Sequence, residues 1–385
     1  MRRLAILAVF SACGRLEFDV VVDGAVPGDG NVGVDAISPN AIAAVVAGDA
    51  HSCARTVGGD VYCWGDNQRY QLGNTANSTT MAVQVTAIDD AIDIAAGNRH
   101  VCAARATGAV VCWGNNSSGQ VGLPSTLTDV SFTPVAGIDD AIGVTAGWSH
   151  SCAVRQSGAV ACWGGNVNGE LGDGTTMSRP NAVDIAGLAN VVQVATMDEH
   201  TCARQSDGAI QCWGWNNRGQ LGTGDTSIHR TPFDTGVRAD ALGLGQVHTC
   251  AANTNAVWCW GDATSGKLGN GVMSGMTPSP TMVFGGGAWL AGGYDHSCVV
   301  TSAGEVFCSG GNAMGQLGTG NLTPTTSFVA VQSPRMFSSV GAGSFHTCAV
   351  TRSGGAMCWG WGLFGQLGTG DSANQSEPIA VMGLP

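Results

Sequence analysis

Residues 147–172 contain Gly147-Trp148-Ser149-His150-Ser151-Cys152, then Cys162-Trp163-Gly164-Gly165-Asn166, then Gly169-Glu170-Leu171-Gly172. The same order of landmarks recurs down the chain, anchored on His51, His100, His150, His200, His248, His296 and His346. Successive anchors are 49, 50, 50, 48, 48 and 50 residues apart. A unit of about 50 residues buries too little surface to fold alone, so seven copies must be parts of one object. A small apolar strand ending in Gly precedes the histidine, as in Ile94-Ala95-Ala96-Gly97. Short alternating runs broken by Gly, Asn, Asp, Ser and Thr read as strands and turns. Four strands per unit is the arithmetic of a propeller blade.

The expected architecture is all-β: a seven-bladed β-propeller over residues 41–385. It begins on Ile42-Ala43-Ala44-Val45-Val46 and ends on Ile379-Ala380-Val381. Neither terminal unit has the polar outer face of a solenoid cap, which favours a closed ring.

Fourteen of the fifteen cysteines fall two per unit. The pairs are Cys53 and Cys63, Cys102 and Cys112, Cys152 and Cys162, Cys202 and Cys212, Cys250 and Cys259, Cys298 and Cys308, and Cys348 and Cys358. Six pairs enclose a glycine near the midpoint, at Gly58, Gly108, Gly158, Gly208, Gly304 and Gly354. The fifth unit is one residue shorter and centres on Thr254-Asn255. Both spacings fit hairpins that set the two cysteines opposite each other. Histidine and thiolate are good zinc ligands, but no fourth ligand repeats. One cross-strand disulfide per blade is therefore expected, each constraining the unfolded chain by about 2.8 kcal/mol on the loop-entropy argument. The histidines are then expected as buried residues bonding to neighbouring backbone. No metal or cofactor is expected.

The Gly-x-x-His element, the Trp-Gly-x-Asn element and Gly-Gln-Leu-Gly together resemble the repeat family named after the regulator of chromosome condensation. The match covers about nine-tenths of the chain, and the resemblance implies a seven-bladed propeller. Two units depart: the sixth reads Cys308-Ser309-Gly310, and the fourth has Thr196 or Met197 where the pre-histidine Gly is expected. The family's namesake binds chromatin and exchanges nucleotide on a small GTPase, while other members are scaffolds, receptors or inhibitors. A shared fold does not carry the activity over. The net charge of −12 and the single lysine, Lys267, leave no basic stripe for phosphates, so no nucleic acid partner is expected.

At the N-terminus, Arg2-Arg3 precedes the apolar run Leu4 to Ala12, and Phe10-Ser11-Ala12-Cys13 resembles a bacterial lipobox. Residues 1–13 are read as a lipoprotein-type signal segment, with Cys13 the lipidated N-terminus of the mature chain. Nine apolar residues cannot cross ~30 Å of hydrocarbon, so membrane contact is expected only through the lipid. Residues 14–40, acidic and Gly-rich, fit a flexible tether. The chain is expected as a monomer in the cell envelope, facing an oxidising compartment, or secreted.

In a repeat protein, shared positions build the blade and unit-specific ones carry recognition. The two residues before each histidine vary and lie in phase, so they project on one face. Arg99, Trp148, Tyr294 and Phe345 are the candidate binding residues, since large planar groups anchor interfaces. Trp215 and Trp361 share a phase after Cys-Trp-Gly and raise the same question. The loops after Gly-Gln-Leu-Gly, such as 123–133 and 270–281, are further candidates. The leading expectation is a non-catalytic binding or scaffold propeller recognising a protein. Carbohydrate or cell-wall binding is the alternative, and a propeller-type lyase or hydrolase the third. The last would require acids or histidines that break the repeat and converge near the central channel. His229, the one histidine out of phase, reads as a loop residue, and Asp89-Asp90 and Asp139-Asp140 as repeat-linked turn acids.

Overall fold

The computed structural model describes residues 38–385. The signal segment, Cys13 and nearly all of the tether lie outside the described residues. Twenty-eight strands form seven four-stranded antiparallel sheets, each built from four consecutive strands. Blade 1 comprises Ile42–Ala47, His51–Thr56, Val61–Gly65 and Thr79–Gln84. Blade 7 comprises Phe337–Ala342, His346–Thr351, Ala356–Gly360 and Gln375–Ala380. The first strands of neighbouring blades pack on one another around the central channel. Second and third strands lie between adjacent blades and are almost wholly buried, whereas fourth strands form the half-exposed rim. That two-sided burial explains why the inner strands are runs of small and apolar residues rather than alternating ones. Among the described residues no helix is long and apolar enough to cross a membrane.

All seven expected disulfides are present, each joining the second and third strands of its blade. Cys53 is bonded to Cys63, Cys102 to Cys112, Cys152 to Cys162 and Cys202 to Cys212. Cys250 is bonded to Cys259, Cys298 to Cys308 and Cys348 to Cys358. The paired cysteines stand directly opposite in register, as Cys152 does to Cys162, with Cα atoms 4.0 Å apart. The shorter hairpin of blade 5 keeps the same register, with Cys250 facing Cys259 at 4.1 Å. The thiols are therefore consumed, which removes the zinc alternative. In blade 5 the Asn253 amide donates to the Ala256 carbonyl at 3.0 Å, enclosing Thr254-Asn255 as the two-residue turn. One detail is corrected: in blade 1 the turn glycine in the left-handed region is Gly59 (φ +99°), not Gly58.

Five of the seven blade junctions carry the same relay. At the junction of blades 3 and 4 the Glu170 carbonyl accepts from the Trp213 indole at 2.8 Å and the Thr201 hydroxyl at 2.9 Å. Thr201 in turn bonds His150 Nε2 at 2.9 Å. The hydroxyl's one proton goes to the carbonyl, so the imidazole must carry its hydrogen on Nε2 and donate it. The histidines are buried as expected. Six of the seven, all but His51, bond through Nε2 to a hydroxyl of the next blade where neighbouring backbone was expected, because stacked sheets bring the middle residue of the next His-x-Cys over the ring. The closing junction repeats the relay: Gln366 O accepts from Trp64 (2.8 Å) and Ser52 (3.0 Å), and Ser52 bonds His346 (2.8 Å). The ring closes blade against blade, without a strand shared between the termini.

Two junctions deviate. Val101 replaces the hydroxyl in blade 2, and both ring nitrogens of His51 are left without a partner among the described residues. In blade 6 Ser309 stands where the indole should be, and Phe284, Phe307 and Phe328 cluster at ring separations of 5.0 and 5.4 Å to fill the space.

Candidate binding face

The turns between first and second strands and the loops between third and fourth strands emerge on one face. A main-chain bond ties them in every blade, as when the Trp361 amide donates to the Phe345 carbonyl at 2.9 Å. Each blade is thus a spoke carrying three varying positions. The first pre-histidine residue lies at the channel mouth, the second outside it, and the residue after Trp-Gly beyond that. Asp49, Asn98, Trp148, Asp198, Gln246, Tyr294 and Ser344 form the inner ring.

The inner ring is held by amide-to-carbonyl bonds between adjacent blades. Asn98 donates to Gly147 (3.1 Å), Trp148 to Asp198 (3.2 Å), Gln246 to Gly293 (3.0 Å) and Tyr294 to Ser344 (3.1 Å). The pre-histidine glycine permits this approach, since a Cβ on Gly97 would strike His100 and the Gly147 carbonyl. Blade 4 has Met197 there, and its turn is rebuilt. Its first strand runs on until Met197 pairs with His200, leaving Asp198 in the left-handed region (φ +45°). Among the described residues the blade 4–5 junction has no inner-ring amide bond. The Gln246 side chain bonds the Asp198 carboxylate instead.

The junction of blades 3 and 4 also gathers acids. Burial, then the charge of Glu199, pushes the Asp198 carboxyl up to about 7, and burial likewise raises Glu170 and Glu199. Asn168 Nδ2 donates to Glu199 at 3.0 Å and to Glu170 at 3.4 Å. The sequence signals were the Glu in Gly169-Glu170-Leu171-Gly172 and the missing glycine at Met197.

The four candidate residues fall into two groups. Arg99 and Trp148 line one polar groove in blades 2 and 3. Tyr294 and Phe345 are in contact in blades 6 and 7, with ring centroids 5.1 Å apart. Trp148 is 47% and Tyr294 40% exposed, while Arg99 and Phe345 are half-buried. The second pair continues into Trp361 (6.1 Å from Phe345) and Phe364 (5.2 Å from Trp361), making one run of four rings. Sequence reading missed Phe364, although its position before Gly-Gln-Leu-Gly is in phase and varies between units. Loop tips on the same face expose Leu127, Met177 and Leu322. The turn acids pair with arginines, Asp90 with Arg105 and Asp140 with Arg155, both at 2.6 Å. His229 opens the fourth strand of blade 4, its ring against Phe233.

The aromatic run has a structural cost. In blades 1 and 2 the side chain after Trp-Gly accepts from the glutamine of Gly-Gln-Leu-Gly: Gln71 donates to Asp66 and Gln120 to Asn115. In blade 5 Lys267 likewise bonds Asp262 at 2.7 Å. Blades 4 and 7 carry Trp215 and Trp361 at that position, and the buried Nε2 atoms of Gln220 and Gln366 have no acceptor among the described residues.

Two profiles described as regulator of chromosome condensation (RCC1) repeats match the chain. One matches residues 42–71, 91–120, 141–170, 191–220, 290–316 and 337–366. The other matches 58–104, 107–154, 157–204 and 207–251. Prp20p from Saccharomyces cerevisiae, a structure described together with its binding to Gsp1p and histones, superposes with a TM-score of 0.74 at 21% identity. That superposition covers 84% of this chain and 86% of that one. Human WBSCR16 gives 0.74 at 21%, over 84% and 94% of the two chains. Yeast RCC1 (Prp20) bound to Kap60 gives 0.74 at 19%, over 94% and 91%. At these identities the likeness establishes the fold alone.

Proposed function

The chain belongs to the regulator of chromosome condensation (RCC1) repeat family, and on that premise we propose a non-catalytic propeller that binds a protein through its pre-histidine face. The observation that carries this is the aromatic run Tyr294–Phe345–Trp361–Phe364. Large rings at a partly exposed patch are the residue types that dominate interface energetics. Trp361 is kept although it leaves Gln366 Nε2 buried without an acceptor, a loss of about 1–3 kcal/mol. The same rule is broken at Trp215 in blade 4, and local rules broken at one or two places are characteristic of functional positions. The related Prp20p, described as binding Gsp1p and histones, and yeast RCC1, described as bound to Kap60, make a protein ligand the natural class. The charge of −12 supports a partner other than nucleic acid. The acids at the junction of blades 3 and 4 are bound to amides rather than set against a nucleophile, which supports a non-catalytic role.

Carbohydrate is the second reading, because Trp148 and Tyr294 share the mouth with Asn98, Gln246 and Asp198. A glycan array and an envelope pull-down on the same protein separate the two. Trp148→Ala and Tyr294→Ala should each weaken partner capture, a hot-spot truncation costing about 2 kcal/mol or more, with the melting temperature nearly unchanged. Trp361→Asn supplies the acceptor that blade 2 uses. It should weaken capture while the melting temperature holds or rises. Early melting in all three variants, with capture intact per folded molecule, would return these residues to the core.

A further inference from the structure

A groove of about 320 Å³ opens on the same face where blades 1, 2 and 3 meet, beside the channel mouth. Arg69, Arg99 and Trp148 stand along it, over a wall of Asn115, Gln120 and Ser149. The chain carries 28 acidic side chains, and its described arginines commonly pair with them. Arg69 meets Asp129 at 3.1 Å, Arg179 meets Asp173 at 3.1 Å, and Arg105 and Arg155 are paired as above. Arg99 is half-buried and has no ion pair or hydrogen bond from its guanidinium among the described residues. A partly desolvated charge without a counter-charge is costly.

The neighbouring acceptors are already engaged. Asn115 Oδ1 takes Gln120 Nε2 at 2.8 Å and the Ser117 hydroxyl at 2.9 Å, and Asp49 Oδ1 takes the Ser344 hydroxyl at 2.7 Å. What faces the groove is therefore a free fork of donors beside the exposed face of Trp148. A guanidinium fork matches a carboxylate in shape and charge. Arg69 is paired with Asp129, and Asp49, the carboxylate that also lines the groove, is held at Oδ1 by the Ser344 hydroxyl, so Arg99 is the one lining cation without a direct ion pair among the described residues and suits a single carboxylate. The overall charge of −12 does not forbid this, because exposed charges are screened beyond about 8 Å at physiological salt. We propose that this groove binds a carboxylate of the partner polypeptide, with Arg99 as the donor fork and Trp148 as a platform for the adjoining residue. This deepens the protein-binding reading and rests on it.

The test uses the full chain with its disulfides intact and three acetylated hexapeptide probes of one sequence. The first carries a central Glu and an amidated end, the second a central Gln and a free carboxyl end, and the third a central Gln and an amidated end. The readout is the Trp148 indole resonance, assigned with Trp148→Phe, at millimolar peptide. At least one carboxylate probe should shift it and the neutral probe should not. Which one binds tells an acidic side chain from a chain terminus. Arg99→Gln should weaken that binding about tenfold or more. Arg99→Lys should keep part of it, and Arg218→Gln, an exposed arginine elsewhere on this face, should change nothing. Equal shifts with the neutral probe, no shift with either carboxylate, or unchanged affinity in Arg99→Gln would each overturn the assignment. Partner capture that is lost in Tyr294→Ala but intact in Arg99→Gln would overturn it too, while the protein-binding reading stands.

Discussion

Burial holds all seven repeat histidines below the usual imidazole value of 6.5. His51 and His296 fall to about 4, and His100, His150, His200 and His346 to about 3. His248 is also lowered, by burial and then by the charge of Lys267. Below pH 6.5 the unfolded chain takes up protons that the native ring refuses, so stability falls as pH falls. Each histidine contributes about 1.4 kcal/mol per pH unit through this window. Asp198, Glu170 and Glu199 act in the opposite sense, since their raised values favour the protonated native form. They are three against seven. Melting scans from pH 7 to pH 4 should show a steep loss of stability, and proton uptake on unfolding at pH 5 should exceed three per molecule. A flat profile would mean that the imidazoles are not buried neutral. His51 gives a second test. Val101→Thr should supply the missing hydroxyl between His51 Nε2 and the Gln71 carbonyl, which already accepts from Trp113 at 3.0 Å. The expected gain is about 1 kcal/mol, read from denaturant midpoints, whereas Thr201→Val, which empties an intact relay, should be destabilising.

At the scale of the blade, the disulfide and the inter-blade relay divide the work. The disulfide pins the second strand to the third within a sheet, and the relay fixes the sheet to its neighbour. Blade 6 keeps its disulfide but lacks the indole; three phenylalanines supply the volume, and the Ser309 hydroxyl donates to the Lys267 carbonyl in place of the indole, at a longer 3.4 Å. Intact mass should rise by fourteen hydrogens on reduction of the seven bridges. Replacing Cys152 and Cys162 together by Ala should cost about 2–4 kcal/mol and leave the other blades bridged. A mass unchanged by reductant in protein exported to an oxidising compartment would contradict the bridges.

For the whole molecule, seven bridges in one chain point to an oxidising setting, extracellular or in the envelope. We propose that Cys13 is the lipidated start of the mature chain and that the propeller is tethered by it. Cys13→Ser should abolish acyl labelling and release the protein from membranes, with its melting unchanged because the first strand begins at Ile42. Labelling that persists in the variant would refute the anchor. The closed ring also makes one face of seven otherwise separate turns. Arg99 and Phe345, far apart in sequence, become parts of a single surface.

The repeat period, the strand count, the cysteine pairing and the phase of the variable residues were all legible from the chain, because each is a local spacing repeated seven times. One error was local, Gly58 for Gly59, where two adjacent glycines satisfy the same pattern, and the other, the partner of the histidines, lay between blades. Only the tertiary structure decided how the ring closes, which hydroxyl each histidine meets, and that Tyr294 touches Phe345 while Arg99 faces a groove without a partner. These are contacts between blades, about 50 residues apart along the chain. Contacts at that separation are set by how sheets stack around an axis, a rotation that no spacing within one unit encodes.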